Sequence, residues 1–172
     1  MKGNLIMTPE YQLAFERSID MLDSSIREMR RVAQNMMPEA LVRFGLDAAL
    51  RDFCEDMNGS GGLKVVYQSI GIDEKQVGQS TAITIYRIAQ ELLNNTMKHA
   101  SAATAIVQLS KTATGITITV EDDGKGFDTS ILKTDSGLGW SAIQTRVDYL
   151  KGRLDIQSEP GKGTSVHIEI DA

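Results

Sequence analysis

Phe15, Ile19, Leu22, Ile26, Met29, Ala33 and Met36 recur along the chain at alternating steps of four and three. This is the seam of a coiled coil or helical bundle, and it predicts one long helix over residues 9 to about 37. Pro9 suits the first helical position, where its missing N–H goes unnoticed. Glu16, Arg17, Asp20, Asp23, Arg27, Glu28, Arg30 and Arg31 fill the other faces. A seam of this kind needs a partner helix to bury it. Pro38 interrupts the pattern. Leu46, Leu50, Phe53 and Met57 then mark one face of a second helix from about Leu46 to Met57, and NGSGG at 58–62 reads as a linker.

Beyond the linker the period changes. LKVVYQSI (63–70) predicts a strand and STAITIYRIAQELLNNTMKHA (80–100) a long helix. ATAIVQLSK (103–111) and GITITVED (115–122) alternate as two strands around a turn. SAIQTRVDYLKG (141–152) predicts a helix capped by Gly152. RLDIQSE (153–159) and TSVHIEI (164–170) complete five strands, the last with Val166, Ile168 and Ile170 on one face and Ser165, His167 and Glu169 on the other. Strands joined mostly as hairpins, with helices between them, predict an α+β fold with helices on one sheet face. The expected division is a helical region over 1–57, a linker over 58–62 and an α/β domain over 63–172.

Composition narrows the function classes. The formal net charge is −5, with no run of four or more basic residues, so nucleic acid is not an expected partner. The single cysteine, Cys54, cannot form an internal disulfide, which fits a reducing compartment, and its setting in DFCEDM suggests a buried structural thiol. No apolar run reaches the roughly 18 residues of a membrane span. MKGNLIMTPEYQ lacks the apolar centre of a signal peptide.

Four stretches carry chemistry. In ELLNNTMKHA, helical spacing sets Glu91, Asn95, Lys98 and His99 along one side, leaving Ile88, Leu92 and Met97 for the core. The amide oxygen suits Mg²⁺, the ammonium suits a phosphate, and the carboxylate can orient or deprotonate a nucleophile. The same residues would also make an ordinary solvated helix face. In VEDDGKGFD a strand ends on two acids, and Gly124 and Gly126 allow a backbone to approach a ligand closely. The aspartate can accept from an exocyclic amine such as adenine N6. Alone, this is also a surface turn. In DSGLGWSAIQTR, Gly137 and Gly139 precede a helix whose N–H groups can cradle phosphate, although neither GxxxxGK[ST] nor GxGxxG is present. GKGTSV is a glycine-rich turn that delivers Thr164 into a strand.

Together and in this order, the four stretches resemble the ATP-binding domain shared by histidine kinases, gyrase, Hsp90 and MutL-type proteins, over about residues 63 to 172. ELLNNTMKHA resembles its N box, DDGKG its G1 box and GLG its G2 box. The resemblance implies a two-layer α/β sandwich of the Bergerat type, with a mixed, mostly antiparallel sheet and ATP held under a short lid at about Thr129 to Ser136. It further implies Asn95 as the Mg²⁺ ligand, Glu91 as the residue that orients or activates the attacking group, Lys98 at phosphate, and His99 near sugar or base. Asp122 would bind adenine N6, with Gly124 and Gly126 shaping the pocket. Gly137, Leu138 and Gly139 would contact phosphate, and Thr164 would back the adenine site. Asp123 and Lys125 fall at positions that vary.

SIREMRRVAQNMMPEALVRFGLDAAL resembles the second dimerisation helix of sensor histidine kinases that partner NarL-type response regulators. That likeness implies a homodimer through the N-terminal helix, a response regulator with NarL/LuxR-type output, and a cytoplasmic domain of an inner-membrane sensor. The chain departs from the pattern in one respect. It has two histidines, His99 and His167, and neither lies on the long helix. The phosphoacceptor helix is therefore expected upstream of Met1, and this stretch is expected to bind ATP without phosphorylating itself. A serine-directed anti-sigma-factor kinase and a non-catalytic interaction module of the same fold remain as alternatives.

Overall fold

A computed structural model of the chain describes residues 12, 15–22, 25, 39–59, 62–73, 77–134 and 137–171. The chain divides into two compact units, Met1–Pro38 and Glu39–Ala172. In the first, residues 15–22 are helical as expected, and the seam residues Phe15, Ile19 and Leu22 are exposed. The rest of the seam, Ile26, Met29, Ala33 and Met36, lies outside the described residues.

The second unit is a two-layer α/β sandwich. Its elements are α1 (Glu39–Gly59), β1 (Lys64–Ile70), α2 (Gln79–Asn95) continued by a π-helical turn (Thr96–Ala100), β2 (Thr104–Lys111), β3 (Gly115–Asp122), α3 (Ile131–Thr134), α4 (Gly137–Tyr149), β4 (Arg153–Ser158) and β5 (Thr164–Asp171). The sheet order is β1-β2-β3-β5-β4. β1 runs parallel to β2, and every other pairing is antiparallel. The parallel pair is possible because α2 supplies the crossover that parallel strands require.

Period-two alternation decides which face is covered. Ile116, Ile118 and Val120 on β3, and Val166, Ile168 and Ile170 on β5, are all buried. They meet Ile85, Ile88, Ala89, Leu92 and Leu93 of α2 and Ile143 and Val147 of α4 in one core. The opposite face is polar, with Thr119 and His167 hydrogen-bonded across β3 and β5 at 2.8 Å.

The second helix starts near Leu46 as expected, directly after a kink at Gly45 (φ 87°), and a helical piece from Glu39 that was not expected precedes it within α1. Three other expectations differ from the structure. Leu46, Leu50, Phe53, Cys54 and Met57 of α1 are buried in the sheet's own core, so this helix packs within the unit that holds the sheet. The NGSGG stretch is only partly a linker: α1 runs to Gly59, and the Asn58 side chain exchanges two hydrogen bonds with the Val65 backbone, at 2.7 and 2.9 Å. At the end of α4 the left-handed residue is Lys151 (φ 53°), not Gly152. Gly152 lacks a side chain for another reason, since a Cβ there would lie 2.7 Å from the Glu169 carbonyl oxygen.

Burial pushes the Cys54 thiol up to about 12, as befits a structural cysteine. A polar staple ties α1 to β1: the Tyr67 hydroxyl donates to Asp47 at 2.8 Å, and Arg51 reaches both the Asp47 carboxylate (3.2 Å) and the Tyr67 ring. Burial alone would raise the pKa of Asp47, but the donors Ser69, Tyr67 and Arg51 outweigh it and hold the carboxyl below its ordinary value of 3.8. A depressed carboxylate stabilises the fold above its unfolded pKa and loses that contribution as pH falls through the folded value. Tyr67→Phe is therefore expected to cost about 1 kcal/mol at neutral pH. The difference from wild type should narrow below pH 3.8 in urea titrations.

Candidate functional site

The apolar rows of β3 and β5 both change character at one end of the sheet. Ile116, Ile118 and Val120 are followed on the same face by Asp122, and Ile170, Ile168 and Val166 by Thr164. Asp122 and Thr164 are register partners across β3 and β5. Beyond them α2 and α4 no longer cover the sheet, and a cavity of about 380 Å³ opens between them. Its floor is apolar (Leu92, Val120, Val166), and Phe127 and Trp140, with ring centroids 5.8 Å apart, form part of its wall.

The α2 edge supplies one side. Asn95 and His99 line the cavity, and Glu91 stands one helical turn before Asn95. The turn after Asn95 is wider than the α-helix the sequence suggested. The π-helical stretch Thr96–Ala100, ended by Ser101 in the left-handed region (φ 52°), shifts the register of everything after Asn95. Met97, expected in the core, is therefore 48% exposed, and Thr96 takes the buried position. Lys98 is exposed and does not line the cavity.

The loop after β3 is locked from three sides. One Asp122 carboxylate oxygen accepts from the Gly124 N–H at 2.9 Å, and the other accepts from the Thr96 hydroxyl at 3.2 Å. The Lys125 N–H donates to the Ala100 carbonyl at 2.8 Å, which fastens the loop to the end of the π-helical turn. Gly126 (φ 57°) packs against the Glu159 carbonyl so closely that no Cβ fits, and the Gly161 N–H reaches the Lys125 carbonyl at 2.6 Å. The loop and the β4–β5 turn thus interlock. Asp123 has a structural task, accepting the Ala103 and Thr104 N–H groups at 2.8 Å. Lys162 beside Glu159 lowers that exposed carboxyl, and the Ser130 N–H lowers Asp128 where the chain turns into α3.

Helix α4 supplies the opposite side. Gly137 and Gly139 were expected to precede this helix, but its first turn begins at Gly137 and includes Gly139. Their N–H groups are among the donors that lack partners inside the helix. A Cβ on Gly139 would lie 3.0 Å from a Glu91 carboxylate oxygen and 3.3 Å from the Asn95 amide, so the missing side chain keeps open the space where the α4 N-terminus meets the polar edge of α2. Among the described residues no three His, Cys, Asp or Glu side chains come together as a metal cage.

The structure thus gathers Asn95, His99, Asp122, Gly126, Gly139 and Thr164 around one cavity. Glu91 borders it through Gly139, and Gly124 borders it through Asp122. Sequence reasoning missed Thr96, Phe127, Trp140 and Ser158. Thr96 sat between two assigned positions of one motif, and the aromatic pair has no periodic signature. The cavity suits a nucleotide: an apolar slot for a base, an acceptor pair at one end, and the glycine-containing first turn of α4 at the other.

Comparison with known proteins agrees. Residues 80–172 match the family model described as histidine kinase-, DNA gyrase B- and HSP90-like ATPase. The chain is 33% identical over 150 residues to the signal transduction histidine-protein kinase/phosphatase DegS of Brevibacillus brevis, covering 87% of this chain and 38% of that protein. It is 31% identical over 148 residues to the sensor histidine kinase MctS of Rhizobium johnstonii, covering 85% and 32%. It therefore spans about a third of the length of these relatives. The solved histidine kinase domain of a blue-light activated histidine kinase from Erythrobacter litoralis superimposes with a TM-score of 0.59 at 29% identity, over 73% of this chain and 60% of that one. The chain belongs to the histidine kinase-, DNA gyrase B- and HSP90-like ATPase family, and its ATP-binding catalytic domain is of the histidine kinase kind.

Proposed function

We propose that this chain binds ATP with Mg²⁺ in the cavity between α2, α4 and the loop after β3, and serves the transfer of the γ-phosphoryl group to a histidine of a sensor kinase, and from there to a response regulator. The observation that carries the reading is the change from apolar to acceptor at Asp122 and Thr164, facing the Glu91, Asn95 and Gly139 corner across one cavity. Asp122 accepts from the adenine amino group, with Thr164 behind it and Gly124 and Gly126 shaping the loop. The first-turn N–H groups of Gly137, Leu138 and Gly139 receive phosphate oxygens, and Lys98 reaches a phosphate when its long side chain turns inward. His99 packs near the sugar. Asn95 offers an amide oxygen to Mg²⁺, which commonly completes its shell with phosphate and water rather than a protein cage. Glu91 orients the acceptor imidazole. Transfer of this kind rests on positioning and charge neutralisation.

Neither histidine of the chain suits the role of acceptor, since His99 lines the nucleotide cavity and His167 pairs with Thr119 on the far face of the sheet. The acceptor is presented by another segment or chain, on a dimeric helical bundle to which the N-terminal seam belongs. A NarL-type response regulator and a cytoplasmic setting in an inner-membrane sensor complete the reading. Among the described residues no helix is long and apolar enough to cross a membrane.

Calorimetric titration of ATP into the folded chain tests the first half. One site per chain is expected, tightened by Mg²⁺, with the Mg²⁺ effect diminished in Asn95→Ala. Supplying a histidine-bearing helical pair with labelled ATP tests the second. Label on histidine supports the reading, label on serine points to a serine kinase, and a folded chain that binds no nucleotide is an interaction module.

A further inference from the structure

We propose that Thr96 and Ser158 are positioning residues that commit the hydroxyl protons at the Asp122 end of the cavity, leaving there an acceptor-only surface that takes a base with an exocyclic amino group and rejects its oxo counterpart. This rests on the ATP reading and deepens it from a nucleotide site to a mechanism of base selection.

The argument is a proton inventory. A hydroxyl has one proton and two acceptor lone pairs. Thr96, 6% exposed, gives its proton to Asp122 Oδ2 at 3.2 Å. Ser158 donates its only proton to the Gly163 carbonyl at 2.9 Å and accepts the Phe127 N–H at 2.9 Å. Its Oγ also lies 3.0 Å from Thr164 Oγ1. With the Ser158 proton already committed, that last bond runs from Thr164 to Ser158. The Thr164 proton is therefore held against Ser158, and only lone pairs of Thr164 are left for a ligand. Ser158 is fully satisfied, with one bond donated and two accepted. Asp122 Oδ1 takes the Gly124 N–H at 2.9 Å, so the carboxylate is fixed at both oxygens and still has lone pairs to offer.

Asp122 and Thr164 are adjacent on β3 and β5, and both line the cavity. An amino group meets acceptors there. A carbonyl oxygen at the same place would face lone pairs and leave buried groups unpaired, the situation in which a site built for hydrogen bonding discriminates strongly.

The test compares ADP with inosine 5′-diphosphate, which carries an oxygen in place of the amino group, by calorimetry on the full chain. Wild type is expected to prefer ADP by about tenfold or more. Ser158→Ala releases the Thr164 proton, so inosine diphosphate should bind about 2–10-fold more tightly while ADP does not gain. Thr96→Val loosens the Asp122 carboxylate and should weaken ADP by a similar factor, with inosine diphosphate unmoved and Thr96→Ser restoring the preference. Loss of structure alone would weaken both nucleotides together and leave their ratio unchanged. If Ser158→Ala does not fold, the Thr96 pair and Thr164→Val, expected to lose affinity for ADP only, decide the matter. Equal binding of both nucleotides by wild type, or a ratio unmoved by the variants, overturns the proposal. A folded wild type that binds neither nucleotide overturns the ATP reading itself, and the selection mechanism with it.

Discussion

Gly163→Ala lowers the stability of the Glu39–Ala172 unit by about 2–4 kcal/mol and takes nucleotide binding with it. Gly163 sits at φ +78°, where an L side chain costs about 1–2 kcal/mol. A Cβ there would also meet the Asp122 carbonyl oxygen far inside the 3.0 Å that real Cβ atoms respect. The neighbour is backbone, which cannot swing away as a long side chain can. Relief requires β5 to separate from β3 at the Asp122–Thr164 pair, the end of the ladder that carries the acceptors. A backbone clash added to a left-handed penalty is among the few mechanisms that give a large single-site loss. For a unit of this size the melting temperature should fall by roughly 10 °C. Gly161→Ala makes a control. It also has positive φ (+82°), but its Cβ would have nothing within 4 Å, so it should show the conformational penalty alone. Equal melting temperatures for the two variants would show that the Asp122 contact is not rigid.

Asp122→Asn leaves the fold intact and weakens ATP by about tenfold or more, the 1.5–3 kcal/mol of a charge-assisted hydrogen bond. The substitution conserves shape but not chemistry. An asparagine has one carbonyl oxygen, and the Thr96 hydroxyl and the Gly124 N–H both call on the acceptors at this position. Turning that oxygen toward either donor brings the NH₂ group toward the other or toward the base, where a donor faces a donor. Calorimetry alongside a thermal melt separates the two effects. A folded variant with undiminished affinity would move the base away from β3.

Much of this was legible in the sequence because two kinds of signal are local. Alternation fixed the strands to within a residue or so, since each side chain on β3 and β5 faces either the core or solvent, and the apolar set has no other arrangement. The glycines around Asp122 and Thr164 marked close backbone approaches. What stayed hidden depends on tertiary geometry. The π-helical turn after Asn95 leaves no mark on a periodic pattern, so Lys98 and Met97 were placed by α-helical spacing that does not hold there. Helix α1 reads the same whether its apolar face serves a bundle or a sheet. The first turn of α4 is glycine-rich, and glycine's low helix propensity hid it. Ser158 looks like any strand serine until the chain brings Phe127, Gly163 and Thr164 around it.

The parallel pairing of β1 with β2 sets an order of events as well as a topology. β2–β3 and β4–β5 are hairpins whose ends lie close in the chain, so they close at small entropic cost. β1 can dock on β2 only after the whole of α2 has been threaded between them, and it remains an edge strand with a neighbour on one side. With α1 packed beside it, β1 is expected to assemble after the hairpins and to exchange its amide protons before β3 and β5. Among the described residues none of α1, β1 or β2 lines the cavity, which is built from α2, its π-helical turn, β3 and the loop after it, α3, α4 and β5. The β1 edge of the sheet can therefore loosen and re-form many times while the cavity keeps its shape.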